Sequence, residues 1–263
     1  MSMLRVYLTG EPCLTLGPRL LRSGRLPGRQ GRLLFAYLVV ERSRPVPRDE
    51  LSESIWPEQR PAAYDVALSA IVSKLRALFA EIGVSGRALS VASGCYRLDL
   101  PPRTWIDTET AIESVHLAEA ALLADDPQAA YGPAVVAAAI LRRPFLPGEE
   151  GPWIDRQRDS LRSARLRALD CLAQIHSANR EFALALRAAQ EAVELEPFRE
   201  EGYRRLMLIH HAAGNGAEAI RAYARLSKLL NVELGASPGP ETRRVFEDVA
   251  GEFARLSTHP TPQ

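Results

Sequence analysis

The 263-residue chain has only three cysteines, Cys13, Cys95 and Cys171, set far apart and without a CxxC pair. An odd, dispersed set supports neither a disulfide framework nor a zinc site, and it agrees with a reducing, cytoplasmic compartment. No stretch reaches the roughly 18 apolar residues of a membrane span, and Met1 to Gly10 is too polar for a secretion signal, so no membrane association is expected. Lysine is nearly missing: Lys74 and Lys228 are the only two, and arginine, which suits bidentate phosphate and guanine contacts, supplies the remaining positive charge. Catalytic signatures are absent too. There is no GxxxxGK(S/T) run, no GxSxG, no HExxH and no GxGxxG. His210 and His211 are adjacent, about 100° apart on a helix, so they make no paired metal site, and His116 and His176 stand alone as packing or surface residues. Asp155, Asp159 and Arg162 lie at salt-bridging intervals. No enzyme, catalytic residue, metal or cofactor is expected.

What is present is an ordinary soluble composition, 46% hydrophobic and 25% charged, with a net charge of +1. The charge is unevenly placed. Residues 1–100 hold 14 basic and 9 acidic side chains and the remainder 19 and 23, a split of +5 against −4. Arg19, Arg22, Arg25, Arg29, Arg32, Arg42, Arg44 and Arg48 crowd one stretch opposed by Glu41 and Asp49. Such a cluster points either to an anionic partner or to a solvated basic face.

Leu4, Val6 and Leu8 alternate with other positions, and Cys13–Leu16 and Leu20-Leu21 follow Gly/Pro breaks, which predicts three short strands in an antiparallel sheet. The period then becomes helical over about 29–41, over Arg48–Trp56 with an acidic first turn, and from near Pro61 to Gly83, where Leu68, Val72, Leu75 and Phe79 form one buried stripe. Ala88–Val91 and Cys95–Leu100 flank Ala92-Ser93-Gly94 as a hairpin. This order predicts an α+β winged helix over 1–100, preceded by its own antiparallel sheet and closed by Pro101-Pro102.

From Trp105 an all-α segment is expected over 101–256, with a flexible tail over 257–263. A 34-residue period runs through it: Leu172, Ala185, Ala192 and Pro197 take positions 7, 20, 27 and 32, and Tyr203, Leu206, Gly214, Ala219 and Tyr223 take positions 4, 7, 15, 20 and 24 of the next copy. These are the small and aromatic positions of a tetratricopeptide repeat, where small residues let paired helices approach. Leu117, Ala130 and Ala137 mark a weaker first copy, and Glu241–Leu256 a capping helix.

The third helix also sets Ser69, Ser73 and Arg76 at i, i+4 and i+7 with Lys74 beside them, a face that could enter a major groove. Arg29, Arg32 and Arg48, near the starts of the first two helices, suit backbone phosphates. A solvated amphipathic face is the alternative.

The ordered set of Gly28-Arg29-Gln30-Gly31-Arg32-Leu33-Leu34, Val46–Leu51 to Ile55-Trp56, Val72-Ser73-Lys74-Leu75-Arg76, Gly94–Leu98, Pro144-Phe145-Leu146 with Trp153, and Glu233–Glu241 resembles the Streptomyces antibiotic regulatory protein type of transcriptional activator. In that family an OmpR-like winged helix precedes a tetratricopeptide-like bacterial transcriptional activation domain. The resemblance covers about residues 3–253. It implies binding to direct repeats in double-stranded promoter DNA, usually as a homodimer, with recruitment of RNA polymerase through sigma factor, in the cytoplasm at the nucleoid. This chain departs from many relatives at Ala77, where a second arginine is common, at Ile71, and at a wing tip without arginine, leaving Arg87 at the hairpin's other end. The rival reading is a scaffold whose repeats bind a protein or effector while the winged helix does not read sequence. The charge split further predicts that residues 1–100 alone would bind DNA less selectively than the whole chain.

Overall fold

A computed structural model describes residues 3–258. It resolves into two compact units, Met1–Glu113 with Ala139–Leu161, and Ser114–Ala138 with Arg162–Gln263.

In the first unit β1 (Leu4–Tyr7), β2 (Cys13–Leu16) and β3 (Arg19–Arg22) form the expected antiparallel sheet, with Leu4, Val6, Leu14 and Leu21 turned inward. After α1 (Gly28–Val40), β4 (Val46–Pro47), α2 (Arg48–Ile55) and α3 (Tyr64–Ile82) comes the hairpin of β5 (Leu89–Ala92) and β6 (Cys95–Leu98). β4 joins it to give the order β4-β6-β5, and β7 (Trp105–Ile106) adds to the first sheet parallel to β1. The two-residue strands β4 and β7 are too short to show an alternating pattern in sequence. Because β7 belongs to this sheet, Pro101-Pro102 lies inside the first unit.

The four α3 stripe residues Leu68, Val72, Leu75 and Phe79 are all buried, and Gly83 ends the helix in the left-handed region at φ 88°. α3 begins at Tyr64 rather than near Pro61, after a turn in which the Tyr64 N–H donates to the Pro61 carbonyl. Ala92 pairs with Cys95, so the wing tip is the two-residue loop Ser93-Gly94, both with positive φ (51° and 76°), the tight mirror-image turn whose twist matches a hairpin.

α1 is buried from Leu33 to Val39 without a break, more than an amphipathic helix needs. A returning segment accounts for this: Phe145 and Leu146 are buried, the Leu146 N–H donates to the Leu8 carbonyl, and Trp153 stands edge-on to Tyr37 with ring centres 5.1 Å apart. Its indole N–H donates to the Ser54 carbonyl at 2.9 Å.

The second unit draws on α4 (Asp107–Leu123), α5 (Pro127–Leu141), α6 (Pro152–Ala178), α7 (Phe182–Leu195), α8 (Glu200–Ala212), α9 (Gly216–Leu234) and α10 (Pro240–Thr258). Ala185, Ala192, Ala219, Tyr203 and Leu206 are buried where the 34-residue period places them, and Tyr223 stacks on Phe246 of α10 at 4.0 Å. In the first copy Ala130 and Ala137 are buried, but Leu117 is 54% exposed and Ala118 takes the core place beside it. Of the tail expected over 257–263, Ser257 and Thr258 close α10 and the rest lies outside the described residues. No helix among the described residues is long and apolar enough to cross a membrane.

Candidate nucleic-acid interface

α3 is held from beneath by its buried stripe, with Phe79 edge-on to Phe35 of α1 at 6.1 Å. Successive residues turn by about 100°, so positions two away from the stripe face the opposite side. Those are Val66, Ala70, Ser73, Lys74, Ala77 and Glu81, all exposed, Val66 by 71%. Ser69 is exposed on one flank.

Arg76 behaves differently from Ser69 and Ser73. It is half-buried, and its Nε donates to the Leu89 carbonyl at 2.8 Å, tying α3 to the first strand of the wing. Arg76 and the exposed Arg87 line an open cleft of about 770 Å³ with Ser85, Gly86, Leu89, Ser90 and Val91. Among the described residues Lys74 and Arg87 have no ion-pair partner.

The arginine cluster is largely spent on internal contacts. Arg29 and Arg32 both meet Glu149, which is 4% exposed: Arg32 Nε donates to its Oε1 at 2.7 Å and Arg29 Nε stands 3.2 Å from its Oε2. Arg29 also donates to the Glu150 carbonyl. Arg42 is bidentate to Glu109, Arg44 bridges Glu41 and Glu50, and Arg25 meets Glu81 at 2.8 Å. Arg48, at the start of α2, donates to Asp65 in the first turn of α3 at 2.9 Å, and Asp65 raises its pKa further. Arg60 lies 4.4 Å over the Tyr64 ring and within 3.3 Å of Asp49. The basic excess of this region is thus concentrated at fewer outward positions than the residue count implies.

Glu149 and Val66 were not found by sequence reasoning. Glu149 stands in a Gly/Pro-rich connector with no periodicity, and Val66 precedes the stripe that defines the helix. The second unit has its own charged cleft of about 450 Å³, where Asp170 holds Arg199 at 2.5 Å and Arg205 at 3.3 Å beside Glu119, Leu122, Leu123 and Arg167. Burial, then Glu119 and Asp170, push the Cys171 thiol there up to about 11, so it stays protonated. His176 is buried, 2.6 Å from Glu181 and edge-on to Tyr131, a packing role, and His211 meets Glu252 at 3.1 Å.

Residues 106–250 match the model of the bacterial transcriptional activator domain. The transcriptional regulatory protein EmbR of Mycobacterium tuberculosis is 28% identical over 228 residues, covering 83% of this chain and 56% of EmbR. The regulatory protein AfsR of Streptomyces griseus is 26% identical over 262 residues, 98% of this chain and 26% of AfsR. RedD, a transcriptional regulator of Streptomyces coelicolor, is 27% identical over 225 residues, 84% of this chain and 64% of RedD. The chain therefore spans about half the length of EmbR and a quarter of AfsR. A solved structure of M. tuberculosis EmbR in complex with a low-affinity phosphopeptide superposes with a TM-score of 0.86 at 24% identity, over 100% of this chain and 67% of that one, and establishes the shared fold of winged helix and tetratricopeptide-like helices. The chain belongs to the bacterial transcriptional activator domain family, among the transcriptional regulators of the Streptomyces antibiotic regulatory protein type.

Proposed function

We propose that this transcriptional regulator is a sequence-specific DNA-binding activator whose first unit lays α3 in the major groove. The observation that carries the reading is the exposed side of α3, which includes Lys74 and is followed by Arg87 at the base of the wing, two cations with no internal partner among the described residues. Ser69 and Ser73 face base edges or phosphates, Lys74 and Arg87 contact the backbone, and Arg48 adds a partly exposed charge at the start of α2. Arg76 serves chiefly to fix the wing against α3, and Arg29 and Arg32 hold the returning segment through Glu149. The second unit supplies protein contacts, for a homodimer on direct repeats and for RNA polymerase with its sigma factor.

Fluorescence anisotropy on a double-stranded site selected from a random pool by the full chain tests this. Lys74→Ala and Arg87→Ala are each expected to weaken binding across all sequences and to lower the slope of log affinity against log salt by about 1. An unchanged slope in both variants removes these residues from the interface. The charged cleft beside Asp170 favours a second reading, a scaffold that binds a protein or effector without reading DNA. Immunoprecipitation of the chain with genomic DNA separates the two: sharp intergenic peaks support the activator and uniform background the scaffold.

A further inference from the structure

The first two turns of α3 lack, on their outward side, the side chains that read purines. Guanine and adenine are distinguished by bidentate pairing with arginine, lysine, asparagine or glutamine, and the outward positions run Val66, Ala70, Ser73, Lys74, Ala77 and Glu81, with the lysine at mid-helix. Arg76 is turned toward the wing and engaged by the Leu89 carbonyl. Val66 differs from its neighbours: it is a branched apolar residue, 71% exposed, in the first turn of the helix, the part of a reading helix that meets base edges in helix-turn-helix docking. Beside it Arg48 lies 2.9 Å from Asp65, and Arg60, over the Tyr64 ring, lies 3.3 Å from Asp49, so these charges are paired, while Lys74 two turns on has no ion-pair partner among the described residues. The unpaired Lys74, with Arg87 beyond the end of the helix, gives this face the charge that suits a polyanion.

We infer that Val66 is a specificity residue that packs against the 5-methyl group of a thymine in the major groove, with Ala70 one turn on leaving room for the close approach. The inference rests on the DNA-binding reading above and deepens it: the preferred site contains a thymine recognised by its methyl group, with no hydrogen bond to α3 at that base.

The test begins with selection of preferred sites from a random double-stranded pool by the full chain. Each thymine of the selected site is then replaced singly by deoxyuridine, which removes the methyl group alone, and affinity is followed by anisotropy. One thymine is expected to lose about fourfold, the worth of one buried methyl group. Val66→Ala, an exposed change to a better helix former, is expected to bind the thymine site about fourfold more weakly than the parent and to be indifferent to deoxyuridine at that position while responding normally elsewhere. The inference is overturned if every thymine tolerates deoxyuridine, or if the sensitive position stays sensitive in Val66→Ala. A pool without any enriched sequence would instead overturn the DNA reading, and this inference with it.

Discussion

Asp107 has no exposed surface, and its carboxylate accepts from the Leu8 N–H at 2.9 Å, the Thr9 N–H at 2.9 Å, the Thr9 hydroxyl at 2.7 Å and the Thr108 N–H at 2.8 Å. It thereby joins the end of β1 to the start of α4, with Arg143 4.0 Å away. Removing an ionised acceptor strands several buried donors, so Asp107→Ala is expected to cost about 2–4 kcal/mol and to lower the first unit's melting transition by roughly 5–10 °C in calorimetry. Asp107→Asn offers an amide N–H where donors already converge, and a similar loss is expected. In sequence this residue is one more acid in a first helical turn, and nothing local distinguishes it from Glu109, which is 44% exposed. Surface carboxylates give a second prediction. Hydrogen bonds from Arg44 to Glu50 and from Arg167 to Glu119 hold both carboxyls below their ordinary pKa of 4.5. Folded-state values below the unfolded ones mean stability that is full at neutral pH and lost as pH falls through the folded values, below about 4.5. Melts between pH 5 and 3 should therefore fall less steeply in Glu50→Gln than in the parent protein.

At the scale of elements, what the sequence made legible was whatever repeats. The α3 stripe, the hairpin around Gly94 and the buried alanines of the 34-residue period follow directly from residue spacing. Contacts made by one atom at one place were not legible, as Arg76 and Gly202 show. Arg76 shares a helical face with Ser69 and Ser73 on a wheel, yet its Nε is committed to Leu89. Arg76→Ala is accordingly expected to lower the melting temperature and to weaken specific and non-specific DNA together. A variant that melts like the parent and loses only specific affinity would make Arg76 a base contact instead. Gly202, in the first turn of α8, sits where an added Cβ would stand 2.9 Å from Cγ2 of the buried Val193 on α7. Valine has one preferred rotamer in a helix, so it cannot swing away freely. Gly202→Leu should destabilise by about 1–3 kcal/mol although leucine is the better helix former, measurable as a lower midpoint in urea with an unchanged slope.

At the scale of the whole molecule, the sequence reading placed the winged helix within residues 1–100, and the charge split made that fragment a minimal DNA reader. The first compact unit is larger, because it includes Met1–Glu113 and Ala139–Leu161. Cutting at Leu100 removes β7 from the edge of β1, Asp107 from the three buried donors on Leu8 and Thr9, Glu149 from Arg29 and Arg32, and Phe145, Leu146, Trp153 and Ile154 from the face of α1 and its surroundings. Each of those four side chains is 5% exposed or less, and burying one fully is worth about 1.5–3 kcal/mol, so the apolar loss alone rivals the whole stability of an ordinary domain. The fragment 1–100 is therefore expected to lack a cooperative urea transition and to give a collapsed amide spectrum by NMR, whereas the full chain unfolds cooperatively. Weak DNA binding by that fragment would then reflect lost folding, not lost selectivity. A sharp transition in 1–100 near the midpoint of the full chain would show that the returning segment is dispensable. Arginine placement points the same way: Arg29 and Arg32, which look like phosphate contacts when only the first hundred residues are considered, find their carboxylate at position 149.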